Sequence, residues 1–251
     1  MIDLSVVIIT FNEERNVERC LRSAKGLADE ILVVDSFSKD GTVDLCRSLG
    51  ARVVERRFDS YSGQKNFALD QARFDHVLSL DADEEVSDEL KASMIAVKNA
   101  CNHDAYAMNR MTNYCGSWVR HGAWYPDRKV RLFDKRKGRW GGANPHEWVV
   151  LTEGATVKSL KGDLFHYSYY TLSDHVRQID LFTEIAAQTL FEQGRGASLV
   201  KMILGPIVRF LRDYFVKMGF LDGRAGLTIA VLSAQAVFIK YAKLRQIYES
   251  R

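Results

Sequence analysis

Two aspartates one residue apart, Asp81 and Asp83, follow the apolar run H-V-L-S-L at His76–Leu80. Carboxylates so spaced behind a buried strand can hold a hard divalent cation, Mg or Mn, through oxygen, and the cation can bridge to a diphosphate. A D-x-D alone suits a solvated turn equally well. Asp35 closes a second apolar run, E-I-L-V-V-D. Its carboxylate can accept the imino hydrogen of uracil, or it can cap a turn with Ser36 and Ser38. Lys65, followed by Asn66 in G-Q-K-N-F-A-L, can meet a diphosphate as a point charge or stand as an exposed helix lysine. Glu147 in A-N-P-H-E-W can take the proton of an attacking hydroxyl, or serve structurally by pairing with Arg128 or Arg131. Its neighbour His146 receives no firm role beyond orienting the loop or meeting an acceptor.

These residues need elements to position them. Leu4–Thr10, Glu30–Asp35, Arg52–Glu55 and His76–Leu80 read as short, buried strands. Between them Asn16–Ala24, Thr42–Leu49 and Gln64–Ala72 read as helices. The alternation implies an α/β fold with a doubly wound, mostly parallel sheet, whose ligands bind beyond the carboxyl ends of the strands. That places Asn12, Asp35 and Asp81 along one edge. A dinucleotide-binding enzyme would need G-x-G-x-x-G after the first strand, where this chain has T-F-N-E-E-R-N. A nucleotidyltransferase would carry a Gly-rich phosphate loop there, which T-F-N-E-E also lacks.

From Ala105 to Val150 the chain turns aromatic, basic and Gly-rich, as short strands and loops of an acceptor-side region would. In W-Y-P-D-R-K-V-R-L-F at Trp124–Phe133, Trp124 can stack on a sugar, while Arg128, Lys129 and Arg131 can meet phosphate or carboxylate on an acceptor. The alternation in K-V-R-L-F suits an amphipathic strand just as well. Ser173–Gln193 reads as a long helix with Ser173 or Asp174 as its cap.

The net charge of +3 is too small to argue for nucleic-acid binding, but it is unevenly spread. From Ala197 onward nine cationic residues stand against three acidic ones. Ala225–Ile239 is an uncharged apolar run of about fifteen residues, short of the roughly twenty needed to span a bilayer. The tail therefore reads as interfacial, its cations drawn to an anionic membrane surface, with a helical hairpin packed on its own core or on a second subunit as the alternative. A homo-oligomer is left open. Met1 leads within three residues into a strand, with no charged and apolar leader before it, and no cysteine pair has metal or redox spacing. The expectation is a catalytic part in the cytosol, peripheral on the inner face of the cytoplasmic membrane.

Four stretches occur together: S-V-V-I-I-T-F-N-E-E, V-V-D-S-F-S-K-D-G-T, G-Q-K-N-F-A-L and L-S-L-D-A-D-E. In order and spacing they resemble glycosyltransferase family 2. With W-Y-P-D-R-K-V-R-L-F, P-H-E, F-H-Y-S-Y and G-F-L-D-G-R-A-G, the chain looks like that family's lipopolysaccharide core-biosynthesis β-1,4-glucosyltransferases. The resemblance implies a GT-A catalytic domain over 1–196, with a nucleotide-sugar half at 1–104 and an acceptor half at 105–196, followed by a helical appendage at 197–251. It implies an inverting transfer of a hexose from a nucleotide-diphosphate sugar, UDP-glucose foremost, to a saccharide or lipid-linked saccharide. It assigns Thr10, Asn12, Glu13 and Asp35 to the nucleoside, with Lys65, Asn66 and Asp81 completing the donor site. Asp81, Asp83 and His166 are assigned to the cation, and Glu147 to the base, with His146, Trp124 and Arg128 toward the acceptor. A lone histidine such as His166 is often structural, and imidazole suits manganese better than magnesium. The alternative from another class is an inactive sugar-binding or membrane-scaffolding protein on the same fold.

Overall fold

The first apolar run becomes the middle of a parallel sheet. In the computed structural model, which describes residues 1–143 and 146–250 but not the side chains of Ala143 and His146, β1 (Leu4–Thr10) lies between β2 (Glu30–Asp35) and β4 (His76–Asp81). β3 (Arg52–Glu55) extends the sheet beyond β2. Alternation along β1 explains its burial on both faces. Leu4, Val6 and Ile8 enter one core with Val17, Cys20, Leu21 and Ala24 of α1 (Val17–Ala24). Val7 enters the other with Ala68 and Leu69 of α3 (Tyr61–Gln71). Helix α2 (Thr42–Ser48) links β2 to β3.

Helix α3 starts three residues before the predicted Gln64, because Ser60 adopts an extended backbone and its hydroxyl accepts the Gly63 N–H at 3.0 Å. The N–H groups of the first turn are thereby met earlier than the apolar spacing suggested.

Beyond β4 the sheet becomes antiparallel. β8 (Asp127–Asp134) pairs with β4 and with β6 (Ala105–Tyr114), and β11 (Val157–Tyr169) pairs with β5 (Glu84–Val86). The strand order is β3-β2-β1-β4-β8-β6-β11-β5, with β7 (Ser117–Trp118) on β6. α4 (Asp88–Asn99) follows β5, and a separate hairpin is formed by β9 (Gly138–Ala143) and β10 (His146–Leu151).

The chain divides into two compact units. The first comprises 1–110 and 127–166 and holds the strands just described up to those limits. The second comprises 111–126 and 167–251. Its small core gathers Tyr114, Val119 and Ile229, with Trp124, Tyr169 and Ala225 against them. Buried His175 receives the Tyr114 hydroxyl contact at 3.0 Å, and burial pushes its imidazole down to about 4, so it is neutral at pH 7.

The long helix α5 runs Leu172–Glu192 and is capped by Thr171, not by Ser173 or Asp174 as the sequence suggested. Thr171 has the extended backbone a cap requires; its hydroxyl accepts the Asp174 N–H while the Asp174 carboxylate accepts the Thr171 N–H.

α6 (Leu199–Leu211) passes through a π turn and a short 3₁₀ turn into α7 (Gly223–Glu249). At Gly226 an added Cβ would collide with the Gly219 carbonyl oxygen, so two glycines of G-F-L-D-G-R-A-G close this corner. The helical stretch Gly219–Glu249 is 31 residues long and, among the described residues, is the one long and apolar enough to cross a membrane. The uncharged run of Ala225–Ile239 is short of a span by itself; the helix continues on both sides of it through polar residues.

Candidate active site

Strand register builds the site's floor. Thr10 lies abreast of Asp35, and Ile9 abreast of Asp81, so three strand ends meet at one edge. The loops after β1 and β2 are tied together: Asn12 N–H donates to Ser38 Oγ at 2.8 Å, Lys39 N–H to Asn12 Oδ1 at 2.9 Å, and Glu13 N–H to Thr42 Oγ1 at 2.8 Å. Asn12 holds a φ of 54° and Phe37 one of 62°, the tight reversals that let these loops interlock. Asp35 is fully buried and accepts hydrogen bonds from Thr10 Oγ1, Ser38 N and Ser38 Oγ. It thus braces both loops.

Above this edge lies a cavity of about 630 Å³ lined by Thr10, Glu13, Asp81, Asp83, Glu147 and His166 among others. These six predicted residues come from four separate stretches of chain, at 10–13, 81–83, 147 and 166, and the fold brings them together. Arg57, Phe58 and Tyr61 also line it, and sequence reasoning missed them. Their signal was weak: they sit in and beside the three residues by which α3 begins early. Partial burial pushes the Glu13 carboxyl up to about 7; the Asn16 side-chain hydrogen bond opposes the rise, and the nearby charges of Asp83, Asp40 and Asp81 add to it. Near neutral pH Glu13 can therefore donate a hydrogen bond as well as accept one.

Asp81 and Asp83 sit differently. Asp81 Oδ1 is 2.8 Å from Lys65 Nζ and Oδ2 is 2.8 Å from Arg131 Nη2. Burial alone would raise its pKa, but these two cations hold it far below the usual carboxylate range. Asp83 Oδ2 lies 3.2 Å from His166 Nε2, because β11 pairs with β5 at His166–Glu84. Burial raises the Asp83 carboxyl, but its interaction with His166 outweighs this and holds it below the ordinary value, so Asp83 is ionised.

Asp83 and His166 supply one hard oxygen and one nitrogen donor to the cavity, a set that fits Mn and, less readily, Mg. Among the described residues no three His, Cys, Asp or Glu side chains are grouped to hold an ion unaided. Magnesium-type sites commonly use one or two carboxylates and complete the shell with substrate phosphate and water. Asp81 keeps lone pairs beyond its two ion pairs and can contribute.

Lys65 is not the exposed helix lysine of the alternative reading; it is 2% exposed. Its ammonium bridges Asp81 and Glu147 Oε1, the latter at 3.1 Å, and stands 4.4 Å from the Trp140 ring centre. Glu147 thus pairs with Lys65 rather than with Arg128 or Arg131. Its other oxygen, Oε2, is buried and, among the described residues, has no hydrogen-bond partner. Glu84, also missed, is fully buried, accepts from Arg131 at 2.6 Å and from the Asp81 N–H at 3.0 Å, and so fixes the turn that carries both aspartates.

A second cavity of about 390 Å³ shares Asp81 and Glu147 with the first and adds Lys65, Arg128 and Trp140. Asn66 lines neither cavity: its side-chain amide exchanges two hydrogen bonds with the Trp140 backbone, which anchors β9 to α3. Trp124 belongs to the aromatic core of the second unit, 5.7 Å from both the Tyr114 and Tyr169 rings. The His146 side chain lies outside the described residues.

The chain belongs to glycosyl transferase family 2, whose model matches residues 5–154. It is a glycosyltransferase, and its architecture is of the GT-A α/β type. It is 30% identical to an uncharacterised glycosyltransferase of Rickettsia typhi over 97% of this chain and 87% of that one. The lipopolysaccharide core biosynthesis glycosyltransferase LpsC of Rhizobium meliloti is 28% identical over 95% of this chain and 93% of its own. Among solved structures, residues 1–349 of Staphylococcus aureus TarS align with 99% of this chain and 92% of theirs, at 16% identity and a TM-score of 0.46. Glucosyl-3-phosphoglycerate synthase of Mycobacterium tuberculosis, crystallised with Mn2+ and UDP-glucose, aligns with 45% of this chain and 44% of its own, at 22% identity and a TM-score of 0.38.

Proposed function

We propose that this glycosyltransferase moves a hexose from a nucleotide-diphosphate sugar, UDP-glucose in our reading, to a hydroxyl of a cell-envelope saccharide, with inversion at the anomeric carbon. The observation that carries the reading is Glu147 Oε2, a buried acceptor with no partner on a residue that lines both cavities. The acceptor oxygen forms its bond to the anomeric carbon as the bond to the diphosphate oxygen breaks, and its proton passes to Oε2. Lys65 holds the other oxygen, which fixes the carboxylate's orientation. Thr10 and Glu13 face the donor, while Asp35 and Asn12 shape the loops around the nucleoside. Asp83 and His166, with Asp81, would hold a divalent cation, which when bound neutralises charge on the departing diphosphate. The role named for the Rhizobium meliloti relative supports lipopolysaccharide core as the acceptor class.

Calorimetric titration of UDP with and without Mn2+ tests the donor site. We expect the native protein to bind UDP at least about tenfold more tightly with the metal, a difference of about 1.4 kcal/mol. Asp83→Ala should abolish that difference while leaving the ion pairs of Asp81 in place. If the folded native protein bound no UDP in either condition, the uridine assignment would fail.

In our reading the protein works at the cytosolic face of the membrane, bound there through the α6–α7 region. Helix α6 has no buried residue and exposes Leu199, Val200, Ile203, Leu204, Ile207, Val208 and Leu211 beside Lys201. Such a face suits the headgroup region of an anionic bilayer. The packing of α7 against α5 and α6 supports a peripheral rather than a spanning arrangement. The full chain should float with vesicles containing anionic lipid, and the exposed-site pair Ile203→Asp and Ile207→Asp should stay at the bottom of the gradient. Native protein that floats with no vesicle composition would overturn this placement.

A further inference from the structure

We propose that the second cavity takes the acceptor through an anionic group, a carboxylate or phosphate on the saccharide, close to the hydroxyl that receives the new sugar. The inference rests on Glu147 being the base, and it names the acceptor's chemistry, which that role alone does not.

Five cationic residues line the cavity, Lys65, Arg110, Arg128, Lys129 and Arg131, against two acidic ones, Asp81 and Glu147. The inner cations are committed. Lys65 and Arg131 hold Asp81, and Arg110 reaches Asp127 at 2.9 Å and Glu84 at 3.4 Å. The outer two are not balanced in the same way. Arg128 is exposed and, among the described residues, its side chain makes no ion pair or hydrogen bond. Lys129 has a single pairing, 3.1 Å to Asp127, a carboxylate that already serves Arg110. The lining therefore carries a positive excess that a neutral sugar would leave uncompensated.

Buried polar atoms point the same way. Among the described residues, Arg131 Nε and Trp140 Nε1 are donors without a partner, on residues 3% and 6% exposed. Buried donors in native structures are nearly always met, by protein, water or ligand. Together with Glu147 Oε2, the lining offers two unmet donors and one unmet acceptor, which an anionic oxygen and a hydroxyl of one saccharide would satisfy. Trp148 is 58% exposed on the same lining and offers a face on which a sugar ring can stack.

Ligand-observed NMR with galacturonate, glucose 6-phosphate, glucose and inorganic phosphate tests this on the full chain. We expect both anionic sugars to bind at least about tenfold more tightly than glucose. The double variant Arg128→Ala, Lys129→Ala should fall to the glucose level; both side chains reach solvent, and thermal unfolding checks that the fold survives. The order of galacturonate and glucose 6-phosphate then distinguishes carboxylate from phosphate recognition. Equal binding, or no binding, of charged and neutral sugars overturns the proposal. Inorganic phosphate bound as tightly as glucose 6-phosphate overturns its saccharide part. The preference is read without donor, so a failure of UDP to bind would sink the donor reading and leave this result standing.

Discussion

Glu147→Gln should lower kcat by about 10²- to 10⁴-fold, the usual contribution of a positioned general base, with UDP binding unchanged. Glutamine keeps the shape of the side chain, and its carbonyl oxygen can still accept from Lys65, which is 3.1 Å from Oε1 in the native site. What disappears is the basic lone pair of Oε2, the atom left without a partner inside the wall between the cavities. Steady-state transfer and nucleotide titration on the same preparation separate the two effects. A variant that retained kcat within about tenfold of native would remove Glu147 from the role of base.

Lys65→Met should destabilise the fold by about 3 to 5 kcal/mol, the range for removing one partner of a buried ion pair. Methionine retains most of the aliphatic stem, so packing against Trp140 is largely kept and the loss is of charge. Asp81 retains Arg131 at 2.8 Å, but Glu147 loses its ion pair with Lys65 while its side chain is 14% exposed. The free energy is read from denaturant midpoints at constant slope. A loss of stability below about 1 kcal/mol would mean that Asp81, Glu147 and Lys65 are independently solvated rather than one buried cluster.

The parallel half of the sheet was legible because its information is local. Leu4–Thr10, Glu30–Asp35 and Arg52–Glu55 keep as strands the bounds read from apolar runs alone, and His76–Leu80 gains only Asp81. Once those runs are parallel strands, their polar last residues must collect at one edge, so Thr10, Asp35 and Asp81 could be placed together from residue order. Even there, side-chain roles depended on loop geometry. Whether Asp35 faces a ligand or braces a turn turns on Ser38, which the Phe37 reversal brings back onto its carboxylate.

The antiparallel half carried no such signal. Lys65 and Glu147 are 82 residues apart, and the sequence offered each a different partner from the one it has. Their meeting depends on Asn66 clamping the Trp140 backbone, and on the β9–β10 register that sets Glu147 opposite Gly142. Glu84 was hidden in the same way, since only the pairing of β8 beside β4 brings Arg131 to it. By itself the sequence determined the family, the strand ends and the residue types available for catalysis, because motifs and periodicity are properties of neighbouring residues. Tertiary structure alone decided which carboxylate is locked between two cations, which one stands beside a histidine and which keeps a bare oxygen. Those states are set by desolvation and by charges a few ångströms away in space, and neither is written in the spacing of residues along the chain.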